Sequence, residues 1–301
     1  MTSYLLIVNP SSGRGRAPAR ARALRAGLPE SWPVEIVETG HRGAAADLAA
    51  SRAADMDRII AVGGDGTLNE VLSGLVRTGR SAQELPELGF LPAGTANAAI
   101  PAFGFSSDPD AVAKSLCEAD SRAVDVGIVS YEGGERPFLL WFGAGFDAVV
   151  IDALHTSRTG LMGVSGLLAH SRRVVSALGR YAAPQIEMEI DGSPFGVASS
   201  AVLANVGTAA FGVVVAKTAD PFDGQLDVIA APTGSRLSLI RIALSMWTSS
   251  LSEARGVRHT LGTRIRLESD GQVPFQLDGE PVGTLPVDVR LEKGAVRLLH
   301  T

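Results

Sequence analysis

The chain is long enough for two domains and has the composition of an ordinary folded protein. It has 301 residues, of which 46% are hydrophobic and 20% charged, which excludes wholesale disorder and favours two domains. The formal net charge of −5 argues against nucleic acid as a partner. Its one cysteine, Cys117, excludes an intrachain disulfide and a cysteine-based zinc site, so we expect a cytoplasmic protein.

Short aliphatic runs alternate with alanine-rich segments over about the first 125 residues. The runs predict buried strands and the alanine-rich segments predict helices. Strands are expected at Tyr4–Val8, Val34–Val37, Arg58–Val62 and Leu88–Leu91, and helices at Pro18–Ala26, Ala44–Ala54, Leu68–Val76 and Ala111–Glu118. This alternation predicts an α/β domain over residues 1–125 with a doubly wound parallel sheet.

Beyond about residue 125 the hydrophobic pattern changes to a period of two. Ile186, Met188 and Ile190 alternate with glutamates, which is typical of half-buried antiparallel strands. Asp-Gly dipeptides at 191, 223, 270 and 278 mark turns, and two helices are expected at Leu161–Leu178 and Leu237–Ser250. The sequence therefore predicts a mainly β, sandwich-like domain over residues 126–289. No segment is predicted to span a membrane.

A glycine-rich loop, Gly63-Gly64-Asp65-Gly66-Thr67, joins a buried strand to a helix. Ligands of parallel sheets bind at the carboxyl ends of the strands. Glycines there let backbone N–H groups approach an anion, and the N-terminus of the following helix adds further donors. We interpret the loop as a phosphate site; the alternative is a simple turn with an aspartate helix cap.

Two more loops of small residues follow predicted strands of the same sheet. They are Asn9-Pro10-Ser11-Ser12-Gly13 and Pro92-Ala93-Gly94-Thr95-Ala96-Asn97, and we expect all three loops to line one crevice. The chain has neither G-x-x-x-x-G-K-[ST] nor G-x-G-x-x-G, which disfavours ordinary P-loop enzymes and Rossmann dehydrogenases. Its five histidines lack metal-ligand spacing.

Together with Asp278-Gly279-Glu280, these loops resemble the diacylglycerol kinase catalytic family, in its soluble bacterial lipid kinase branch. The resemblance implies a nucleotide-binding α/β domain and a β-sandwich-like domain for the lipid. It implies ATP-dependent phosphorylation of a lipid hydroxyl, such as that of diacylglycerol, in the cleft between the two domains, and hence a role in lipid metabolism. It also allows the final strand, about residues 290–301, to return to the first domain.

The resemblance further implies roles for individual residues. Nucleotide contacts fall to Asn9, Thr39, Gly63, Gly64, Asp65, Gly66, Thr67, Leu68, Asn69, Gly94, Thr95 and Asn97. Asp65 would hold the catalytic Mg²⁺, and the loop containing Asp220, Asp223 and Gln225 would hold a second cation; a plain Asp-Gly turn is the alternative there. Glu280 would be the general base and Asp278 its supporting partner, against the alternative of a surface hairpin with two solvated acids.

Two rival functions remain open at this point. One is an NAD kinase-like enzyme, because that family shares the Gly-Gly-Asp-Gly-Thr loop. The other is a nucleotide- or lipid-binding homologue without activity, since Ala98 and Phe211 depart from the residues common in relatives. As partner we expect a lipid at a membrane surface, visited transiently without a transmembrane span. Five arginines between Arg14 and Arg25 suit anionic headgroups, or form a merely solvated face. A homodimer is left open.

Overall fold

The computed structural model describes residues 2–94, 97–118, 120–149, 181, 183–208, 214–232 and 250–299. The helices expected at Leu161–Leu178 and Leu237–Ser250 lie outside these residues, except for Ser250, as do Thr95 and Phe211. Among the described residues, no helix has the length and hydropathy needed to cross a bilayer.

The first part of the chain alternates strands and helices, as predicted. Its strands are β1 (Tyr4–Val8), β2 (Val34–Glu38), β3 (Arg58–Gly63) and β4 (Glu87–Pro92); its helices are α1 (Ser12–Gly15), α2 (Ala17–Gly27), α3 (Ala44–Arg52), α4 (Asp65–Arg77), α5 (Ala99–Phe103) and α6 (Pro109–Glu118). The strands are parallel, in the order β2-β1-β3-β4. Leu5 and Ile7 of β1 share a core with α3 and α4. Tyr4 and Leu6 share another with α2 and α6, so helices cover both faces.

The described residues of the rest of the chain form mainly β-structure. Its strands are β5 (Ser121–Tyr131), β6 (Gly134–Phe138), β7 (Trp141–Gly145), β8 (Ile186–Ile190), β9 (Ser193–Ala198), β10 (Ser200–Ala204), β11 (Leu226–Ala231), β12 (Arg258–Gly262), β13 (Arg264–Glu268), β14 (Pro274–Leu277), β15 (Glu280–Thr284) and β16 (Val287–Leu299). Six of them form an antiparallel sheet in the order β12-β11-β10-β7-β14-β15.

The antiparallel sheet packs against β8, β13 and β16 of the larger, ten-stranded sheet. The core between these layers holds Phe142 and Phe275 from one sheet and Met188 and Ile265 from the other. The fold class, α/β plus mainly β, is thereby confirmed. The expected domain boundary near residue 125 falls inside β5, and its position stays a prediction.

Strand β16 belongs to both parts of the molecule. Its first half pairs with β13, for example Val289 with Ile265. Near its end, Leu298 pairs with Leu88 of β4, in parallel, while β5 runs along its other edge. Both parts of the chain therefore share one continuous sheet.

Candidate active site

Loops that follow β1, β3 and β4 meet at one edge of the parallel strands. Asn9, after β1, donates its side-chain N–H to Thr67 Oγ1 at 3.3 Å. The carbonyl of Gly63, which ends β3, accepts the N–H groups of Ala93 (2.6 Å) and Gly94 (3.2 Å) from the loop after β4. The three loops are thus in direct contact, as parallel strands with aligned carboxyl ends require.

Glycines make this contact possible. A Cβ on Gly94 would lie 2.7 Å from the Gly64 Cα, and a Cβ on Gly63 would lie 2.3 Å from Thr67 Oγ1. Asp65 and Gly66 begin α4, so their N–H groups have no partner within the helix and favour an anion. Farther along, Thr67, Leu68 and Asn69 are buried. Because the Leu68 side chain packs in the core, it could contact a nucleotide only through its backbone.

Asp65 connects two of the loops. Its Oδ2 accepts the N–H of Ala98 at 2.9 Å and its Oδ1 accepts the N–H of Ala99 at 3.1 Å, at the start of α5. Each oxygen keeps a second lone pair, which fits Mg²⁺ bound by one carboxylate together with nucleotide phosphates. No group of three or more metal-ligating side chains occurs among the described residues.

The remaining predicted nucleotide contacts lie at the ends of β2 and β4. The Thr39 N–H donates to the carbonyl of Val8 at 2.8 Å. Asn97 has a φ of +47° and donates its side-chain N–H to the Gly94 carbonyl at 3.0 Å. Its buried Oδ1 has no hydrogen-bond partner in the described part of the chain.

Asp278 lies in the turn between β14 and β15, and its carboxylate faces inward. Oδ1 accepts the N–H groups of Leu140 (2.8 Å) and Trp141 (3.1 Å), and Oδ2 accepts those of Leu139 (2.9 Å) and the Asn69 side chain (2.9 Å). Burial raises the pKa of Asp278 to about 6, although these four donors oppose the shift. Asp278 thereby fixes the turn to the start of β7 and to α4.

Glu280, two residues later, lies at the N-terminus of α4. Its Oε1 would be 3.0 Å from a Cβ on Gly66. Its Oε2 contacts two guanidinium groups, at 3.1 Å from Arg42 Nη2 and 3.6 Å from Arg136 Nη2. The fold therefore brings Glu280 to the glycine-rich loop. The sequence prediction missed both arginines; the one available signal was that Arg42 follows Thr39 in the loop after β2.

A cavity of about 10 Å³ lies between the glycine-rich loop and the turn that contains Asp278. Its lining includes Asp65, Asn69 and Asp278, and its volume suffices for about one water molecule. The three residues predicted to be catalytic, Asp65, Asp278 and Glu280, thus all lie around the first turns of α4.

A second buried carboxyl supports the same turn from the other side. Gln276 donates its side-chain N–H to Asp147 Oδ2 at 2.7 Å and accepts the N–H of Gly279 at 2.7 Å. Gly143 leaves room for this pair, since a Cβ there would lie 1.8 Å from Asp147 Oδ2. Burial raises the pKa of Asp147 to about 6. The sequence prediction assigned no role to Asp147 or Gln276.

In the loop expected to hold a second cation, the aspartate side chains accept hydrogen bonds from the backbone of the same loop. Asp220 accepts the N–H of Phe222 (3.1 Å) and Asp223 that of Gln225 (2.8 Å). The ammonium of Lys293 lies 3.4 Å from the Asp223 carbonyl. Burial, reinforced by neighbouring aspartates, raises the pKa of the Asp223 carboxyl.

The sequence prediction missed Asp125, which holds this loop to the end of the chain. Its carboxylate accepts the N–H groups of Gly224 (2.6 Å) and Gly294 (2.7 Å). The side chains of Asp220 and Asp223 thus cap turns, and within the described part of the chain neither belongs to a group of three or more side chains that could hold a metal ion.

Comparisons with known proteins cover nearly the whole chain. Residues 3–129 match the diacylglycerol kinase catalytic domain, and residues 141–300 match the YegS C-terminal NAD kinase beta sandwich-like domain. A diacylglycerol kinase of Mycobacterium tuberculosis is 28% identical, over 98% of this chain and 94% of its own length. One from Bacillus subtilis is 27% identical, over 93% and 90%.

A solved structure shares the fold. The crystal structure of a diacylglycerol kinase from Bacillus anthracis superposes with a TM-score of 0.75 at 22% identity, over 99% of this chain and 97% of that one. The two domain matches together span both parts of the chain and contain every loop of the site. The chain therefore belongs to the diacylglycerol kinase catalytic family, in its soluble bacterial lipid kinase branch.

Proposed function

We propose that this lipid kinase transfers the terminal phosphoryl group of ATP to the hydroxyl of a lipid such as diacylglycerol. The observation that carries the proposal is the position of Glu280. Its carboxylate lies at the first turn of α4, beside Gly66, where N–H groups favour phosphate. A hydroxyl bound by Glu280 would therefore lie next to a phosphate bound by the loop.

The residues of the loops would bind and orient the triphosphate. The N–H groups of Asp65 and Gly66 face its oxygens, and Asp65 would hold Mg²⁺, which supplies charge neutralisation when bound. Glu280 would accept the proton of the lipid hydroxyl as the new oxygen–phosphorus bond forms and the bond to ADP breaks. Asp278 and Gln276 would hold the turn that carries Glu280 in place.

Membrane association is part of the proposal, because a diacylglycerol lies in a bilayer. Arg14, Arg16 and Arg22 are exposed on and beside α2 and would attract anionic headgroups. The other two arginines of this stretch are less exposed. Arg25 binds the carbonyls of Leu28 and Pro29, and Arg20 is half-buried.

Transfer of radiolabelled phosphate from ATP tests the proposed activity directly. The acceptors are diacylglycerol and other lipids in mixed micelles, NAD, and a control without acceptor. We expect label in a lipid. Faster labelling of NAD than of every lipid would instead support an NAD kinase-like enzyme. Nucleotide binding without any transfer would support an inactive homologue.

The variant Glu280→Gln tests the role of the base. We expect turnover to fall about 10²–10⁴-fold, the usual contribution of general-base catalysis, while ATP affinity stays nearly unchanged. Glu253→Gln is the matched control, because Glu253 forms an exposed ion pair with Lys217. An equal loss of ATP binding in Glu280→Gln would mean that Glu280 serves the nucleotide or the fold, and not the acceptor.

A further inference from the structure

Two arginines contact Glu280, and the fold holds them differently. Arg42 lies in the segment between β2 and α3, and its side chain is 77% exposed. Arg136 lies within β6, where it pairs with Val129 of β5, and its side chain is 29% exposed. Exposed ion pairs contribute little to stability. Arg42 can therefore leave Glu280 for a stronger anionic partner at little cost, whereas Arg136 is restrained.

The Arg42 guanidinium lies close to the N-terminus of α4, where the phosphates of the nucleotide are expected to bind. Its guanidinium contacts Glu280 Oε2, and the other oxygen of the same carboxylate lies beside Gly66 at the N-terminus of α4. A triphosphate on this loop, with the acceptor hydroxyl at Glu280, would have its terminal phosphoryl group between the two. The Arg42 side chain would then be next to that group.

Besides Arg42, the cations nearest in sequence to the loop after β1 are Arg14 and Arg16, and the chain has three lysines. Its lysines are Lys114, Lys217 and Lys293. The first is on α6, the second pairs with Glu253, and the third binds the Asp223 carbonyl. A guanidinium binds phosphate through two parallel hydrogen bonds and keeps its charge. Arg42 is thus suited to bind the group that is transferred.

We propose that Arg42 binds the terminal phosphoryl group of the nucleotide and releases Glu280 when it does so, a proposal that rests on the proposed function. Arg136 then remains as the cation that holds Glu280, whose freed oxygen accepts the hydroxyl of the acceptor. During transfer, the bond from the terminal phosphorus to ADP breaks and the bond to the acceptor oxygen forms. The hydroxyl proton passes to Glu280, and Arg42 neutralises charge on the moving phosphoryl group.

Calorimetric titration with two nucleotides tests this role without any phosphoryl transfer. The nucleotides are ADP and the non-hydrolysable triphosphate AMP-PNP, each with Mg²⁺. We expect Arg42→Ala to bind AMP-PNP about ten- to hundredfold more weakly, the range for a hydrogen bond to a charged group, and to bind ADP as the wild type does. Arg42→Lys keeps the charge without the planar fork, so its loss should be intermediate.

Arg77→Ala is the matched control, because Arg77 forms an exposed pair with Asp47 at 2.8 Å at the far end of α4. It should bind both nucleotides as the wild type does. Unchanged ADP binding by Arg42→Ala also reports that the variant is folded. Equal losses for both nucleotides, or no loss, would overturn the proposal and leave Arg42 as a residue that orients Glu280. A wild type that binds neither nucleotide would overturn the proposed function as well.

Discussion

Asp147 and Asp278 are buried carboxyls of similar pKa but very different surroundings. Asp278 accepts four hydrogen bonds, three of them from consecutive backbone N–H groups. Asp147 accepts hydrogen bonds from the side chains of Gln276 and Trp141, and burial is the largest cause of its raised pKa. An ionised Asp147 is therefore compensated by fewer donors than an ionised Asp278.

We expect the variant Asp147→Asn to change the pH dependence of stability. The pKa of Asp147 is about 6 in the folded protein, against an ordinary 3.8, so the folded state keeps a proton that the unfolded chain loses. The stability contributed by this proton is present below about pH 4 and is lost as pH rises through 6. Asparagine cannot ionise, so the stability advantage of the variant over wild type should grow by about 1.4 kcal/mol between pH 5 and pH 8.

Urea denaturation of both proteins at pH 5 and pH 8 measures this difference. Asp270→Asn, at an exposed position between β13 and β14, is the control and should show no such trend. A stability difference between Asp147→Asn and wild type that is the same at both pH values would contradict the prediction.

Contacts between side chains distant in the sequence were beyond sequence-based prediction. Arg42 and Glu280 are 238 residues apart, and nothing in either local pattern indicates the other. Glu280 itself was predicted, because the Asp-Gly-Glu motif is local and resembles a known family. The pairing of Gln276 with Asp147 was not, since an isolated buried glutamine carries no recognisable signal.

At the scale of elements, one turn connects three parts of the fold. The turn between β14 and β15 is joined through Asp278 to the start of β7 and to Asn69 of α4. Both Asp278 and Gly279 have positive φ, at 49° and 84°, a conformation that glycine and aspartate tolerate better than most residues. The turn thereby fixes Glu280 relative to the phosphate-binding end of α4.

Asp278→Asn should destabilise the protein, although the two side chains have nearly the same shape. Each carboxylate oxygen accepts two N–H donors, so an NH₂ group in either position would face two donors that no longer have an acceptor. Unsatisfied buried donors cost about 1–3 kcal/mol each, and this cost is partly offset because asparagine does not ionise whereas the pKa of Asp278 is raised to about 6. We therefore expect a net loss of up to about 3 kcal/mol at pH 7.5. Chemical denaturation measures it, with the half-buried Glu280→Gln as the comparison. Wild-type stability in Asp278→Asn would show that these hydrogen bonds do not hold the turn.

Sequence periodicity predicted the four parallel strands and the helices α2, α3, α4 and α6 because their signals are local, but the short helices α1 and α5 were missed. β1 has the expected bounds, since a short apolar run is followed directly by Asn9-Pro10. α4 begins at Asp65, three residues before the expected start at Leu68, because the apolar pattern begins one turn after Gly64, the N-cap residue. Strand pairing in the second part depends on contacts distant in the sequence, so its sheet order could not be predicted.

At the scale of the whole molecule, β16 makes the two parts depend on each other. The strand is 13 residues long and pairs with β13 near its start and with β4 near its end. Leu298 is 1% exposed and packs in the core that also contains Leu5 and Ile59 of the parallel strands. A substitution that weakens packing near the end of β16 should therefore also destabilise the strands that pair with its start.

Leu298→Ala tests that dependence. Replacing a buried leucine by alanine lowers the free energy of unfolding by about 2–5 kcal/mol. We expect the opening free energy of the slowest-exchanging amides to fall by this amount in both parts. Hydrogen exchange measured by mass spectrometry would follow peptides of β1 and β3 beside peptides of β8 and β13, whose opening free energies should fall by similar amounts if the parts unfold together. Leu261→Ala, at a position on β12 that is 40% exposed, should leave both unchanged. A loss confined to β1 and β3 would mean that the two parts unfold independently despite the strand they share.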